Sequence, residues 1–580
     1  MNRRIFELLV IAMILWCRNA FAPIPELMPG WPVEYRKDTG LFLGGPTYGG
    51  FELGGQYCLV SNLAGDDFGT GVFVVNGEYL SGWPYISGNF ETQTLAVGDV
   101  DNDGRLEVVT GSHHWERQPP YERWGELRVI EDDGNVKEGF PVRLPMKYPS
   151  IPIVADLEND GFLDIVIFSQ TEHIAMVFDG NGFVKDGWPV YIDDYYWGFN
   201  LGNGAVGDLD NDGNLDVINA NADYIFAWNY EGELLPSFPF SIFDPRLFFA
   251  DFVHPCLADI DGNGFLDILM TGMDFSKSGD GFVAIYDKDG ELLPGWPFRD
   301  EAGIYTPAVP GDVNRDGELE VAISSSGYVY LLDNQGNPLP GWPQERRFMG
   351  WPISSNSDPL IADIDGDEYP DVIFNEHGYH PDPEETYAYL WAYRYDGDYV
   401  DGYPWRTYST NYTCPALGDF DRDGSLNMFL FTTVERNYQR EFYISLGLYE
   451  MGVPYDPETV EWGQYGHDQY NTSNYHYELQ IPTIVEEAKI EVPESFRIIA
   501  CHPNPFNEAT NINYQLPTPC EVRLELYNLL GQKLDTILET RQEAGNKSLI
   551  WRPEGFTSGI YFLRLRAGDS SDIKRVTLLK

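Results

Sequence analysis

Residues 208–216 read Asp-Leu-Asp-Asn-Asp-Gly-Asn-Leu-Asp, and close variants of this nonapeptide occur six more times along the 580 residues. They are Asp-Val-Asp-Asn-Asp-Gly-Arg-Leu-Glu (99–107), Asp-Leu-Glu-Asn-Asp-Gly-Phe-Leu-Asp (156–164) and Asp-Ile-Asp-Gly-Asn-Gly-Phe-Leu-Asp (259–267). The others are Asp-Val-Asn-Arg-Asp-Gly-Glu-Leu-Glu (312–320), Asp-Ile-Asp-Gly-Asp-Glu-Tyr-Pro-Asp (363–371) and Asp-Phe-Asp-Arg-Asp-Gly-Ser-Leu-Asn (419–427). Successive starts lie 57, 52, 51, 53, 51 and 56 residues apart, so one supersecondary unit of some fifty residues is repeated.

A second motif interleaves with the first. Gly-aromatic-Pro stands at Gly30-Trp31-Pro32, Gly82-Trp83-Pro84, Gly139-Phe140-Pro141, Gly187-Trp188-Pro189, Gly295-Trp296-Pro297, Gly341-Trp342-Pro343 and Gly402-Tyr403-Pro404, with Ser237-Phe238-Pro239 as a variant. Within a unit, a short apolar strand such as Leu95 to Gly98 enters the acidic loop and a β-branched strand (Leu106 to Thr110) leaves it. A third strand (Glu126 to Glu131) ends at the turn Asp133-Gly134-Asn135, and the fourth carries Gly-aromatic-Pro. Four strands joined by such turns make an antiparallel blade. One such sheet cannot bury both faces, whereas blades stacked radially can. The expected fold is all-β: a β-propeller of seven or eight blades over residues 23–477, followed by a small immunoglobulin-like β-sandwich. Eight is favoured, because a first unit at about 33–84 lacks the acidic loop but fits the period; seven holds if the first and last units share a blade.

The loops place oxygen side chains at positions 1, 3, 5 and 9. Position 1 is Asp99, Asp156, Asp208, Asp259, Asp312, Asp363 or Asp419, and position 3 is Asp101, Glu158, Asp210, Asp261, Asn314, Asp365 or Asp421. Position 5 is Asp103, Asp160, Asp212, Asn263, Asp316, Asp367 or Asp423, and position 9 is Glu107, Asp164, Asp216, Asp267, Glu320, Asp371 or Asn427. Position 7 (Arg105, Phe162, Asn214, Phe265, Glu318, Tyr369, Ser425) can add its backbone carbonyl. Gly at position 6 in six of the seven loops permits the positive φ that wraps a chain about an ion. Five or more hard oxygens completed by water suit Ca²⁺, whereas Mg²⁺ demands a stricter octahedron. The EF-hand is excluded, since no loop has Glu at position 12 and the flanks are strands. Asx turns alone would account for one such loop, less readily for seven in register.

Calcium also suits the charge. The chain carries 37 Lys and Arg against 91 Asp and Glu, a formal net charge of −54. Residues 497–580 are near neutral, with 11 basic and 9 acidic residues, so the acidity lies in the first 496 and disfavours nucleic acid. Residues 1–22 read as a signal peptide: Arg3 and Arg4, an apolar run from Leu8 to Trp16, then Ala20-Phe21-Ala22. No later stretch is long and apolar enough for a transmembrane helix. Beyond Cys17, Cys58, Cys256 and Cys414 are widely separated, while Cys501 and Cys520 either pair or remain thiols. Residues 478–496 read as a linker. The alternation of apolar and polar residues at 522–527 and 561–566 marks half-buried strands in a separate domain, 497–580.

The repeat Ala96-Val97-Gly98-Asp99 through Glu107, with its six counterparts, resembles the FG-GAP/VCBS repeats of integrin α-subunit propellers and their bacterial relatives over residues 30–475. The stretch Trp462 to Tyr475, with His467-Asp468 and Thr472, is similar to the closing segment of bacterial members. That resemblance implies a propeller with calcium in its loops. The tail, with His502-Pro503-Asn504-Pro505-Phe506-Asn507, Leu530-Gly531-Gln532, Gly559-Ile560-Tyr561-Phe562 and a basic last strand, resembles the type A C-terminal sorting domain of the type IX secretion system. It implies a Gram-negative host, export through the periplasm and a secreted or surface-attached product whose partners include that machinery.

No nucleophile elbow, His-Glu-x-x-His or phosphate loop is present, and no catalytic residue is assigned. His113 and His114, and His377 and His380 near Glu376, are placed in lengthened connections between second and third strands and read as solvated. The recurring tryptophans read as blade packing rather than sugar platforms. The expected function is a non-catalytic adhesin or binding scaffold for an extracellular protein or polysaccharide. The alternative is a polysaccharide lyase or other carbohydrate-active enzyme on a calcium-containing propeller.

Overall fold

The computed structural model describes residues 25–476 and 496–579, apart from stretches of at most ten residues each, the longest being 38–46, 116–122, 193–202, 379–386 and 407–413. The expected signal peptide, nearly all of the linker, and His380 lie outside the described residues. The contacts divide the chain into two compact units, Met1–Met176 with Val190–Tyr477, and Glu478–Lys580 with Val177–Pro189. Among the described residues there is no α-helix, and so none long and apolar enough to cross a membrane.

The first unit is built of antiparallel sheets in chain order, eight of them with four or five strands among the described residues. The second sheet serves as the pattern: Phe90–Gly98, Glu107–Trp115, Arg123–Ile130 and Val142–Leu144, each paired with the one before. The acidic loop joins its first two strands. Second and third strands are buried on both faces, as in Asp164–Phe168 and Ile174–Phe178, which accounts for their unbroken runs of Ile, Val and Phe.

Three details differ from the sequence reading. The first sheet consists of Thr47–Leu53, Gln56–Leu63, Phe68–Val74 and Tyr85–Gly88, and residues 33–37 are not part of it. Val33–Lys37 instead pairs with Glu441–Pro454 in the eighth sheet, Val33 opposite Leu446 and Lys37 opposite Phe442. First and last segments therefore share a sheet, yet residues 47–88 still make one of their own. Second, Gly-aromatic-Pro precedes the fourth strand rather than lying in it: Val142–Leu144 begins after Pro141. Third, His113, His114 and His377 lie within strands, Glu107–Trp115 and Asp371–Gly378, because pairing runs beyond the apolar core of these hairpins.

Four of the Gly-aromatic-Pro tryptophans fasten one sheet to the next. The indole N–H of Trp31 donates to Val75 O (2.7 Å), Trp83 to Asp132 O (3.1 Å), Trp296 to Asn334 O (3.2 Å) and Trp342 to Tyr395 O (2.8 Å), every acceptor being in a turn of the following sheet. These rings are buried, which supports their reading as packing groups. The glycine is required by the same contact: a Cβ on Gly341 (φ +94°) would meet Asp396 O at 1.8 Å. Last and first sheets also pack together, Phe429, Leu446 and Leu448 sharing a core with Leu59, Phe73 and Trp31.

One segment touches the starts of seven sheets. Val460–Trp462 pairs with Leu360–Ala362 of the seventh sheet, and Gly463 O accepts from Leu417 N of the eighth (2.8 Å). The Asn471 side-chain amide donates to Leu95 O (2.8 Å) in the second sheet and to Pro152 O (3.0 Å), next to the first strand of the third. Thr472 O accepts from Val206 N (3.0 Å) in the fourth sheet, and Ser473 O from Leu257 N (2.9 Å) in the fifth. A Glu461 carboxylate oxygen accepts from Asp312 N (2.5 Å), beside the first strand of the sixth.

In the second unit, Arg497–His502, Thr510–Leu516 and Gly545–Trp551 form one sheet, while Cys520–Tyr527, Lys533–Gln542, Gly559–Ala567 and Ser570–Leu578 form another. Both contribute to one core, with Ile512 and Tyr514 from the first and Leu524, Leu563 and Val576 from the second. Asn504, from the Pro-Asn-Pro motif, clasps the last strand by donating to Arg575 O (3.0 Å) and accepting from Thr577 N (2.7 Å). Cys501 and Cys520 are free thiols.

Candidate metal centres

Each acidic loop is a cup closed by its own side chains. The position 1 carboxylate accepts from the backbone N–H groups of positions 5 and 6 in all seven loops: Asp208, for example, from Asp212 N (3.0 Å) and Gly213 N (2.9 Å). The position 5 side chain accepts from position 7 N in all seven, as Asn263 does from Phe265 N (2.8 Å). Position 6 has positive φ throughout, including Glu368 at 75° where glycine is missing. The expectation of a wrapped loop therefore holds even in its weakest member.

Burial is graded from rim to floor. Position 5 is exposed in every loop, whereas the position 9 side chain is at most 3% exposed in every loop: Glu107, Asp164, Asp216, Asp267, Glu320, Asp371 and Asn427. In six of these loops one position 9 oxygen accepts from position 2 N, as Asp267 does from Ile260 N (2.9 Å) and Glu107 from Val100 N (3.0 Å). The second oxygen of Glu107 and of Asp267 is buried with no hydrogen-bond partner. A buried carboxylate oxygen left without a partner costs several kcal/mol, unless a proton or a cation meets it. Burial, and then the neighbouring carboxylates, push Glu107 up to about 9, Asp216 and Glu320 to about 8 and Asp267 to about 7. Asp371 is likewise raised well above its usual range by burial.

Five loops bring carboxylates within 4.8 Å of one another: Asp99, Asp101, Asp103 and Glu107; Asp208, Asp210 and Asp216; Asp259, Asp261 and Asp267; Asp363, Asp365 and Asp371; Asp419, Asp421 and Asp423. These donor sets fit a hard cation by chemistry and, in loops one and four, by the orphaned oxygens of Glu107 and Asp267 at their floors. Loops two and five do not form such a carboxylate cluster among the described residues. In loop five Asn314 turns its amide N–H to Glu320 (2.6 Å), tying two would-be ligands to each other.

Two features were not read from the sequence. Position 4 is left-handed in every loop, at Asn102, Asn159, Asn211, Gly262, Arg315, Gly366 and Arg422 (φ 49–79°). Its asparagines bond to the next loop: Asn102 to Gly161 O (3.0 Å), Asn159 to Gly213 O (3.5 Å) and Asn211 to Gly264 O (2.8 Å). In loop seven the same position sends Arg422 over the ring of Tyr57 in the first sheet, 3.6 Å from its centroid. The signal was present, since five of the seven residues are Asn or Gly, the types that tolerate positive φ. The second feature is Glu450. It lies opposite Asn427 in register and accepts from its amide (3.1 Å), so a carboxylate from the third strand stands beside the one loop that lacks an acidic position 9.

Comparison with known proteins bears on the chain in two places. Residues 208–270, 259–323 and 312–374 match the FG-GAP-like repeat. Residues 500–578 match the secretion system C-terminal sorting domain. No curated protein matches the sequence. Among solved structures, the V. cholerae biofilm matrix protein Bap1 is 11% identical over 77% of this chain and 92% of that one, with a TM-score of 0.44. PorZ of Porphyromonas gingivalis, an essential bacterial surface component of the type-IX secretion system, is 11% identical over 90% of this chain and 64% of that one, with a TM-score of 0.33. The quinohemoprotein alcohol dehydrogenase of Comamonas testosteroni is 11% identical over 71% and 77%, with a TM-score of 0.29. Likeness this remote identifies neither an activity nor a ligand. The repeat matches span loops three to six, and loops one, two and seven repeat their hydrogen bonds outside the matched residues. The chain carries FG-GAP-like repeats over residues 208–374 and a secretion system C-terminal sorting domain over residues 500–578.

Proposed function

We propose that residues 23–477 form a closed eight-bladed propeller whose acidic loops hold calcium, and that it acts as a secreted or surface-attached binding scaffold. The observation that carries the calcium reading is the row of position 9 side chains, buried in every loop, with an unpartnered oxygen on Glu107 and Asp267. Ring closure is supported by the segment that bonds to the starts of seven sheets and by the core shared between the last sheet and the first. In each loop the ligands are the side chains at positions 1, 3, 5 and 9 with the carbonyl at position 7.

Export is supported by the sorting tail. On this reading residues 1–22 are removed on the way to the periplasm, 478–496 link the two domains, and 497–580 are a sandwich that engages the type IX machinery. The scaffold's own ligand is an extracellular protein or polysaccharide.

The test is metal analysis of exhaustively dialysed protein, with thermal unfolding in calcium and in EDTA. Bound calcium and a fall in Tm of several degrees in chelator are expected, because a ligand of the folded state stabilises it by mass action. Protein without calcium and with an unchanged Tm refutes the calcium reading. A chain ending at residue 496 should remain in the periplasm of a type IX host; equal surface delivery of both forms would refute the sorting role.

A further inference from the structure

Loops one, three and six have the same acidic inventory, four carboxylates each: Asp99, Asp101, Asp103 and Glu107; Asp208, Asp210, Asp212 and Asp216; Asp363, Asp365, Asp367 and Asp371. They differ in what meets the position 3 carboxylate. In loop one the Lys137 ammonium, 9% exposed, pairs with Asp101 and lies 3.4 Å from Glu131. In loop six the Arg394 guanidinium donates to Asp365 through Nε (2.9 Å) and Nη2 (2.5 Å), with Asp367 3.8 Å away. Among the described residues no basic side chain pairs with Asp208, Asp210, Asp212 or Asp216 of loop three, nor with Asp259, Asp261 or Asp267 of loop four. Lys288, whose field reaches Asp210, is half-buried and paired with Asp289 at 2.9 Å.

The two basic residues come from different places in the turn that follows the third strand. Lys137 donates its backbone N–H to Val129 O, a position held by Leu235, Leu293 and Leu339 in the fourth, fifth and sixth sheets. Arg394 donates its own to Asp398 O, a position held there by Asn229, Asp287 and Asp333. Either route delivers a positive charge to the same carboxylate, position 3. A fixed monovalent cation there neutralises one ligand and repels a divalent ion a few ångströms away, which lowers affinity by about tenfold or more.

We propose that Lys137 and Arg394 are built-in counter-ions: they hold loops one and six closed without calcium, and make these loops bind it at least about tenfold more weakly than loops three and four. The proposal rests on the calcium reading and adds to it an order of filling. As calcium falls, loops one and six empty first while keeping their shape, whereas loops three and four stay loaded until calcium is scarce.

The experiment is calorimetric titration of calcium into chelator-stripped full-length protein and into Lys137→Met and Arg394→Met. Arg394 is partly exposed, so its variant folds even if loss of the buried Lys137 proves too damaging. The wild type should show a tight and a weak class of sites, and each variant should move one site from weak to tight, tightening its Kd at least about tenfold. Wild-type binding with unchanged site classes in Arg394→Met overturns the proposal and leaves the calcium reading standing. A wild type that binds no calcium overturns both.

Discussion

The segment from Thr459 to Tyr475 and the acidic loops both meet the first strands of the sheets, and they use their polar groups in opposite ways. The segment's bonds run from one sheet to another: Asn471 spends its two amide hydrogens on the carbonyls of Leu95 and Pro152, in different sheets, and the carbonyls of Thr472 and Ser473 serve two more. The loops bond mainly within their own nine residues, and the second oxygens of Glu107 and Asp267 remain without a partner. One region ties sheet to sheet; the other turns its oxygens inward on itself. In a repeat protein, where stability is a sum of units and interfaces, damage to the first should reach seven sheets and damage to the second should stay where it is made.

The largest effect should therefore come from the centre. Trp462 is 0% exposed, is among the largest fully buried side chains, and stands edge-on to His467 at 4.9 Å. Trp462→Ala should cost about 3–5 kcal/mol of unfolding free energy, measured in denaturant. Asn471→Ala leaves two carbonyls of different sheets without their donor and should cost about 1–3 kcal/mol. Losses below about 1 kcal/mol for Trp462→Ala would show that the segment merely fills space.

Next in size is the response of the calcium-free loops to pH. Their floor carboxylates have folded-state pKa values raised above those of the unfolded chain, with Asp267 at about 7, Asp216 at about 8 and Glu107 at about 9. Below the ordinary carboxylate value, about 4, both states are protonated and nothing is lost. Between there and the raised values the unfolded chain gives up protons that the folded one keeps, so stability falls as pH rises. In EDTA, Tm should decline from pH 5 to pH 8; with saturating calcium the decline should vanish. A chelated protein that is more stable at pH 8 than at pH 5 would mean that the floors are satisfied by something other than a cation.

How much of this was legible in the sequence follows the same division. The loops are local, so their period, their ligand positions and the strands on either side could be read from spacing and residue type. The turn glycines and buried tryptophans were legible for the same reason. What escaped lies far apart in the chain. Val33–Lys37 joins a sheet formed more than four hundred residues later, and nothing in Val-Glu-Tyr-Arg-Lys names Phe442 to Leu446 as its partners. Glu450 reaches loop seven only through strand register, and Lys137 and Arg394 through the geometry of a turn. The ladder of asparagines at position 4 is local in signal, but Asn at a loop tip reads as ordinary turn chemistry.

The smallest effect tests that ladder, which carries bonds from one loop to the next. Asn211 holds φ at 58° and donates to Gly264 O at 2.8 Å from an exposed position. Asn211→Gly deletes the bond between loops three and four while adding no strain to the left-handed backbone. An exposed neutral hydrogen bond exchanges readily with water, and the expected loss is below about 1 kcal/mol. Asn211→Ala loses the same bond and keeps a Cβ in the left-handed region without asparagine's tolerance of it, costing about 1 kcal/mol more than glycine. Alanine should therefore be the worse substitution, and the difference between the two variants measures the backbone rather than the bond. If Asn211→Gly alone cost several kcal/mol, or lowered calcium affinity at loop four as much as at loop three, the loops would be a cooperative rim. The contrast between a local rim and a shared centre would then fail.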